Sequence, residues 1–162
     1  MRALVISGGG SKGAFAGGVA HHLIEEAGRK YDLYLGTSTG SLLVTHLAAG
    51  ALVEIKHAFT NVNQTSIFSN NPFIVKQKGK INRIKINHFN VLKNFLKGKK
   101  TFVESQNLRT LIGQQITPSL FKSVKKKHRE VIICVSNFTL NVIVYKALSQ
   151  CSFFVCLGWI WI

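Results

Sequence analysis

Apolar residues in this chain change their spacing several times, and each change marks an element. Ala3, Leu4, Val5 and Ile6 form a continuous apolar run that stops just before three glycines, the pattern of a short buried strand. Residues 14–27 place Phe15, Val19 and Leu23 four apart. That spacing predicts a helix with these three facing inward and Gly28 as its stop. Residues 31–35 read as a second strand. Residues 38–49 read as a second helix with Leu42, Leu43 and Leu47 as its apolar stripe, and Leu52, Ile55 and Phe59 carry helical spacing past Gly50. The order strand, loop, helix, strand, turn, helix is that of an α/β fold with a mainly parallel central sheet and helices on both faces.

The second half is patterned differently. Residues 76–100 hold nine lysines or arginines and no acid. Within them Phe89, Leu92 and Leu96 share one face of a short predicted helix, with Lys93, Lys97 and Lys100 elsewhere on it. Residues 105–116 predict another helix, with Leu108, Leu111, Ile112 and Ile116 inward. Residues 131–135 predict a strong strand and 142–148 a weaker one. No repeat or low-complexity linker interrupts the chain, so a single domain over residues 1–162 is expected.

Composition adds one strong feature. The chain has 21 Lys and Arg against 6 Asp and Glu, a net charge of +15. Such an excess favours anionic partners: a membrane surface, a phosphate-bearing lipid or nucleic acid. The hydrophobic share of 46% excludes a disordered chain. Cys134, Cys151 and Cys156 have neither a disulfide framework's count nor zinc-ligand spacing, which points to a reducing compartment. The start lacks the pattern of a cleavable signal peptide. Residues 151–162 are mostly apolar and uncharged, but too few to span a bilayer, which takes about 20 apolar residues. The expected location is the cytoplasm, with peripheral contact to a membrane.

Two glycine-framed motifs carry the candidate chemistry. The first is Gly8-Gly9-Gly10-Ser11-Lys12-Gly13, between a strand and a helix. Residues without side chains let backbone N–H groups converge, and a helix N-terminus adds unpaired donors. Such a loop can hold a phosphate or an oxyanion. It fits the G-x-G-x-x-G of a dinucleotide site, which also wants an acid after the second strand, whereas Asp32 opens that strand. It fails the mononucleotide pattern, because Ala14 stands where lysine should follow Gly13. A tight strand-to-helix turn with no ligand is the plain alternative.

The second motif is Gly36-Thr37-Ser38-Thr39-Gly40, a G-x-S-x-G between the second strand and the second helix. A nucleophile elbow needs small neighbours because its serine sits on a sharp, strained turn. Alone, the motif could be a glycine-flanked N-cap serine. Together the two motifs are more specific: both follow strands of one parallel sheet, one offering an oxyanion hole and the other a nucleophile.

These residues resemble the patatin-like phospholipase family, whose hallmarks are G-G-G-x-[KR]-G, then G-x-S-x-G, then a later D-G-[GA]. Gly8 to Gly13 and Gly36 to Gly40 match the first two in order and position. Residues 101–105, Leu108-Arg109 and Val135-Ser136-Asn137 are similar to bacterial members. The resemblance implies a three-layer α/β fold and a Ser-Asp dyad acting on acyl esters of lipids or phospholipids, with no cofactor, metal or nucleic-acid partner. Ser38 would be the nucleophile, backbone around Gly9, Gly10 and Ser11 the oxyanion hole, and Lys12 the family's basic position. The chain departs from the pattern at the third hallmark. Its one aspartate, Asp32, precedes Leu33 and not glycine, and no glutamate precedes a glycine. Five strand residues put Asp32 about 16 Å from the elbow. The chain is therefore expected to end before the family's aspartate.

The six histidines read as packing or surface residues; His46 stands about two turns beyond Ser38 on the same helix. The rivals to a hydrolase are a basic, catalytically incomplete module on anionic lipid, and a nucleotide-binding domain. The basic run is expected to form an exposed positive surface near the entrance to the site.

Overall fold

The computed structural model describes residues 1–68, 73–78, 81–96, 106–137, 139–150 and 152. They form two compact units, one built from Met1–Asn61 with Ile112–Ile162 and one from Val62–Leu111. Residues 97–105 and 153–162, which include Lys97, Lys100 and the uncharged apolar end, lie outside the described residues.

The first unit is built on a four-stranded sheet of β1 (Ala3–Ile6), β2 (Leu33–Thr37), β5 (Glu130–Asn137) and β6 (Val142–Ala147), in that order. The first three strands are parallel and β6 is antiparallel to β5. This is the α/β class with a mainly parallel sheet. Register sorts the side chains. Leu4, Tyr34 and Val131 lie in one row, and Ile6, Gly36 and Ile133 in another on the same face. Tyr34, Val131 and Ile133 are fully buried there.

That face is covered by α2 (Thr39–Ala49), which touches all three parallel strands. Leu43, Val44 and Leu47 of α2 are fully buried, each contributing about 1.5–3 kcal/mol. α1 (Gly13–His21), α3 (Leu52–Asn61) and α7 (Pro118–Lys126) pack in turn on α2. Strand order explains why the helices gather there. β1, β2 and β5 succeed one another in a single direction, and right-handed crossovers stepping one way deliver their helices to one face. Val5, on the other face, is 64% exposed.

Some local readings change on folding. β1 has the predicted limits, but the first helix is shorter than residues 14–27. α1 ends at His21, a π-helical turn His22–Glu26 follows, and Gly28 at φ +62° turns the chain toward β2. The face of α1 is also reversed. Phe15 is 79% exposed, while Gly13 and Ala20 are buried. The cause is proximity: a Cβ on Gly17 would stand 3.0 Å from Leu43 Cδ2, so the contacting side of α1 must be small. α7 falls where the apolar spacing predicts no element; Thr117 caps it by accepting the Leu120 N–H at 3.2 Å, and Pro118 stands at its start.

The second unit contains α4 (Gln64–Ile67), an antiparallel hairpin of β3 (Phe73–Lys78) and β4 (Ile81–Ile86), α5 (His88–Leu96) and the start of α6 (Gln106–Gln115). The hairpin lies where the sequence suggested only a basic stretch. Lys76 pairs directly with Arg83, and Ile74 with Lys85. α5 forms as its spacing predicts, with Phe89, Leu92, Phe95 and Leu96 all exposed. No helix among the described residues is long and apolar enough to cross a membrane.

The far end of α2 is closed by polar groups. Arg129 Nη1 donates to the carbonyls of Ala48 at 3.0 Å and Leu47 at 3.4 Å, bringing positive charge to the helix C-terminus. His46, one turn earlier, is buried and donates from Nδ1 to the Leu42 carbonyl at 2.8 Å. Burial holds its pKa below the ordinary value, against the carbonyls of Leu42 and Gln115 and the charge of Glu54. Unfolded, His46 takes up a proton near 6.5; folded, it does so only at lower pH. Between those points the unfolded chain binds more protons, so acid favours unfolding. Urea midpoints should therefore be insensitive to this group above pH 6.5 and decline below it, and His46→Gln should flatten that decline. An unchanged slope in the variant would assign the acid sensitivity to other groups.

Candidate active site

Both motifs lie at one edge of the parallel sheet, because Ile6 at the end of β1 pairs with Gly36 near the end of β2. Ser38 occupies the single residue between β2 and α2. Its backbone has φ 54° and ψ −126°, a conformation that L-residues seldom adopt. Its side chain makes no capping bond to α2, and the residue is exposed. The turn is held by the Ser41 N–H, which donates to the Ser38 carbonyl at 2.9 Å.

The glycines around Ser38 are there because nothing larger fits. A Cβ on Gly36 would lie 2.5 Å from the Gly40 carbonyl oxygen and 2.7 Å from Ser41 Cα. A Cβ on Gly40 would overlap the carbonyl oxygen of Ile6 and come within 3.0 Å of that of Ser7. The first turn of α2 is thus pressed directly onto the ends of β1 and β2.

The same closeness brings the first loop onto the serine. A Cβ on Gly8 would stand 2.8 Å from Ser38 Cβ and 3.4 Å from Ser38 Oγ. Beyond Gly8 the chain turns through a short 3-10 helix, Gly10–Lys12, with Gly10 at φ 56° and the Lys12 N–H donating to the Gly9 carbonyl at 3.1 Å. Among the described residues no backbone carbonyl accepts from Gly9, Gly10 or Ser11. Gly8 to Lys12 are exposed, and Gly13 is buried at the head of α1. An anion beside Ser38 would meet free N–H groups and the positive end of that helix.

Two residues given no site role in the sequence analysis, Thr39 and Phe59, stand next to this loop. A Cβ on Gly13 would be 3.0 Å from Phe59 Cε1 and 3.3 Å from Thr39 Oγ1. Among the described residues, Thr39 Oγ1 and Ser41 Oγ are buried without a hydrogen-bond partner. The motif itself was the signal for Thr39. Phe59 had none, since its spacing with Ile55 reads only as core.

Other candidates fall away from the edge. Asp32 precedes β2, at the end opposite Ser38, where its Oδ2 accepts the Arg2 N–H at 2.7 Å and lies 3.8 Å from the terminal amine. It is placed neither to take the Ser38 proton nor to hold a ribose beside the glycine loop. His46 is turned to the Leu42 carbonyl, His22 is 2.9 Å from Glu26, and His57 is 2.9 Å from Asn61. No cluster of metal-ligating side chains occurs among the described residues.

A family model described as "Patatin-like phospholipase" matches residues 4–153, running through both compact units. No curated protein and no solved structure matches the chain.

The backbone at Ser38 gives a direct test of the elbow. A non-glycine residue in such a region stores about 1–3 kcal/mol. Glycine removes that strain, at a cost of about 0.5–1 kcal/mol in the chain's freedom. Ser38→Gly should therefore be more stable than Ser38→Ala by about 1 kcal/mol in urea unfolding. A glycine variant no more stable than the alanine variant would contradict the strained turn.

Proposed function

The chain belongs to the patatin-like phospholipase family, and on that premise we propose that it hydrolyses acyl esters of lipids through an acyl-enzyme on Ser38. The observation that carries this reading is the seating of Gly8 against Ser38 at the shared edge of β1 and β2. It puts a strained, exposed hydroxyl beside a loop of unclaimed N–H groups. Ser38 Oγ attacks the acyl carbonyl and the carbonyl oxygen becomes an oxyanion. Backbone N–H groups of Gly9, Gly10 and Ser11 stabilise that charge, the largest single contribution in many acyl transfers. The alkoxide then leaves, taking a proton, and water releases the acyl group from Ser38. No cofactor or metal enters this scheme. A nucleotide-binding reading is less well supported, because Asp32 stands at the opposite end of β2.

The serine proton is the weak point. A serine hydroxyl is a poor nucleophile without a positioned base. The only aspartate in the 162 residues is Asp32, held by Arg2. Among the described residues no base is hydrogen-bonded to Ser38 Oγ. For these 162 residues, p-nitrophenyl ester hydrolysis is expected at the level of an oxyanion hole alone, at most roughly 10³–10⁴-fold over water. Ser38→Ala should remove that excess. An excess untouched by Ser38→Ala would overturn the serine assignment. Fast, Ser38-dependent turnover would mean that a glutamate or histidine acts as the base.

We also infer that the lipid is met at an anionic membrane surface, through the unit Val62–Leu111. Lys76 opposite Arg83 sets like charges side by side, which destabilises a hairpin unless something anionic compensates. Lys85 and Lys93 are exposed in the same unit, and the exposed apolar residues of α5 can enter the headgroup layer. A basic side chain near such a surface is worth about 1 kcal/mol, so Lys76→Glu with Arg83→Glu should weaken vesicle binding about 25-fold or more. Co-sedimentation should favour phosphatidylserine over neutral vesicles and decline with salt. Equal binding to neutral vesicles at every salt concentration would refute the electrostatic part.

A further inference from the structure

Strand alternation sorts the side chains of the β3–β4 hairpin by face. Ile74 and Lys76 of β3 share one face with their direct partners in β4, Lys85 and Arg83. Phe73, Ile84 and Ile86 stand on the other face. There the Phe73 ring meets Phe68 edge-on, with 5.9 Å between centroids. One face thus carries apolar side chains and the other carries three cations. Lys76, Arg83 and Lys85 are all exposed. The ion pairs among the described residues, Met1 with Asp32 and His22 with Glu26, include none of them. No acid occurs between residues 76 and 100 to relieve their repulsion.

The spacing of these three is that of a three-point anion site. Directly opposed residues, as Lys76 and Arg83 are, have Cβ atoms about 4.5–5.5 Å apart, and diagonal ones, as Lys76 and Lys85 are, about 7–8 Å. Long side chains at such separations can converge on one small anion, which they hold through charge-assisted bonds of about 2.7–2.9 Å. A phosphomonoester matches them best. It offers three terminal oxygens and a charge of about −1.5 to −2 at neutral pH. A phosphodiester has lost one of those oxygens to a second alcohol and keeps a single charge. Arg83 supplies a planar fork that can take two oxygens at once, and Lys76 and Lys85 bring flexible point charges to the third.

We propose that Lys76, Arg83 and Lys85 form a binding site for a phosphomonoester group, such as a lipid headgroup whose phosphate carries no further alcohol. The proposal rests on the membrane reading of the unit Val62–Leu111 and narrows it. The hairpin recognises a phosphate by its oxygens, whereas a negative surface in general would act on every lysine and arginine near it.

Vesicles that differ in phosphate chemistry at equal charge test this. The probes are phosphatidylcholine vesicles carrying either phosphatidic acid, a monoester, or phosphatidylglycerol, a diester, adjusted to the same zeta potential. The full chain should co-sediment about five- to tenfold more tightly with phosphatidic acid, the effect of one charge-assisted bond at an exposed site. Arg83→Lys keeps the charge and removes the fork. It should abolish the preference while leaving binding to phosphatidylglycerol within about twofold, which a merely structural role for Arg83 would not do. Glycerol 3-phosphate separates the sources of the group. Displacement from phosphatidic acid by this soluble monoester would support a site that also takes free phosphate esters, and retention would support one that takes the headgroup in a bilayer. Equal binding to the two anionic lipids, above that to phosphatidylcholine alone, would overturn the phosphate site and leave the electrostatic reading standing. Binding indifferent to anionic lipid would sink both. A preference for phosphatidic acid that survives Arg83→Lys would also overturn the proposal, because the phosphate would then be held elsewhere.

Discussion

The contact on which the rest of the structure depends is the one between Gly40 and the carbonyl of Ile6. It is a close approach of backbone to backbone that any side chain would prevent. Because α2 starts hard against the end of β1, the turn from β2 into α2 has only one residue in which to reverse. That residue is Ser38, and its positive φ is the geometric consequence. The same approach leaves the loop after β1 no path except across the serine, which is why Gly8 also has no room for a Cβ. Four separate features, the two elbow glycines, the strained serine and the bare loop, therefore follow from a single packing distance.

Close approach also governs the layer above. α1 meets α2 through Gly17 and Leu43, and Gly13 at its head meets Thr39 and Phe59. Helices that pack this tightly must put small residues in the contact, and the bulky ones are turned outward. Phe15 and Val19 are exposed for that reason and not because the helix lacks a partner. Gly17 faces a leucine at close range, whereas Gly18, one residue on, is exposed. The small residues of α1 thus fix its distance to α2.

How much of this the sequence disclosed follows from which interactions are local. The limits of β1 and the glycines of both motifs could be read directly, because a run of apolar residues and an absent side chain mean the same thing in most contexts. The inward face of α1 could not. Four-residue spacing gives a stripe, but only the distance to α2 decides whether that stripe or its small-residue neighbour is buried. The hairpin of β3 and β4 was hidden by charge. Ile84, Lys85 and Ile86 alternate as a strand should, yet the nine basic residues of this stretch carry the pattern of a solvated segment as well. Thr117-Pro118 likewise carried a helix start whose signal was masked by the lysines that follow. Phe59 at the site edge is a purely tertiary fact, with no pattern of its own.

Charge separates what the fold has fixed from what it has left to chemistry outside it. The acids that could neutralise a +15 chain are few, and the aspartate among them is tied to the backbone at the far end of β2. The glycine loop after β1 needs no acid to attract an anion, because N–H groups and a helix end supply its positive potential from the backbone alone. In the proposed reaction, glycines and helix direction can therefore supply what receives negative charge. The half that accepts a proton needs a carboxylate or imidazole aimed at Ser38 Oγ, and backbone geometry cannot substitute for it. For that reason the strained turn at Ser38 and the glycine loop do not by themselves set the reactivity of the proposed nucleophile, which depends on a side chain that neither motif specifies.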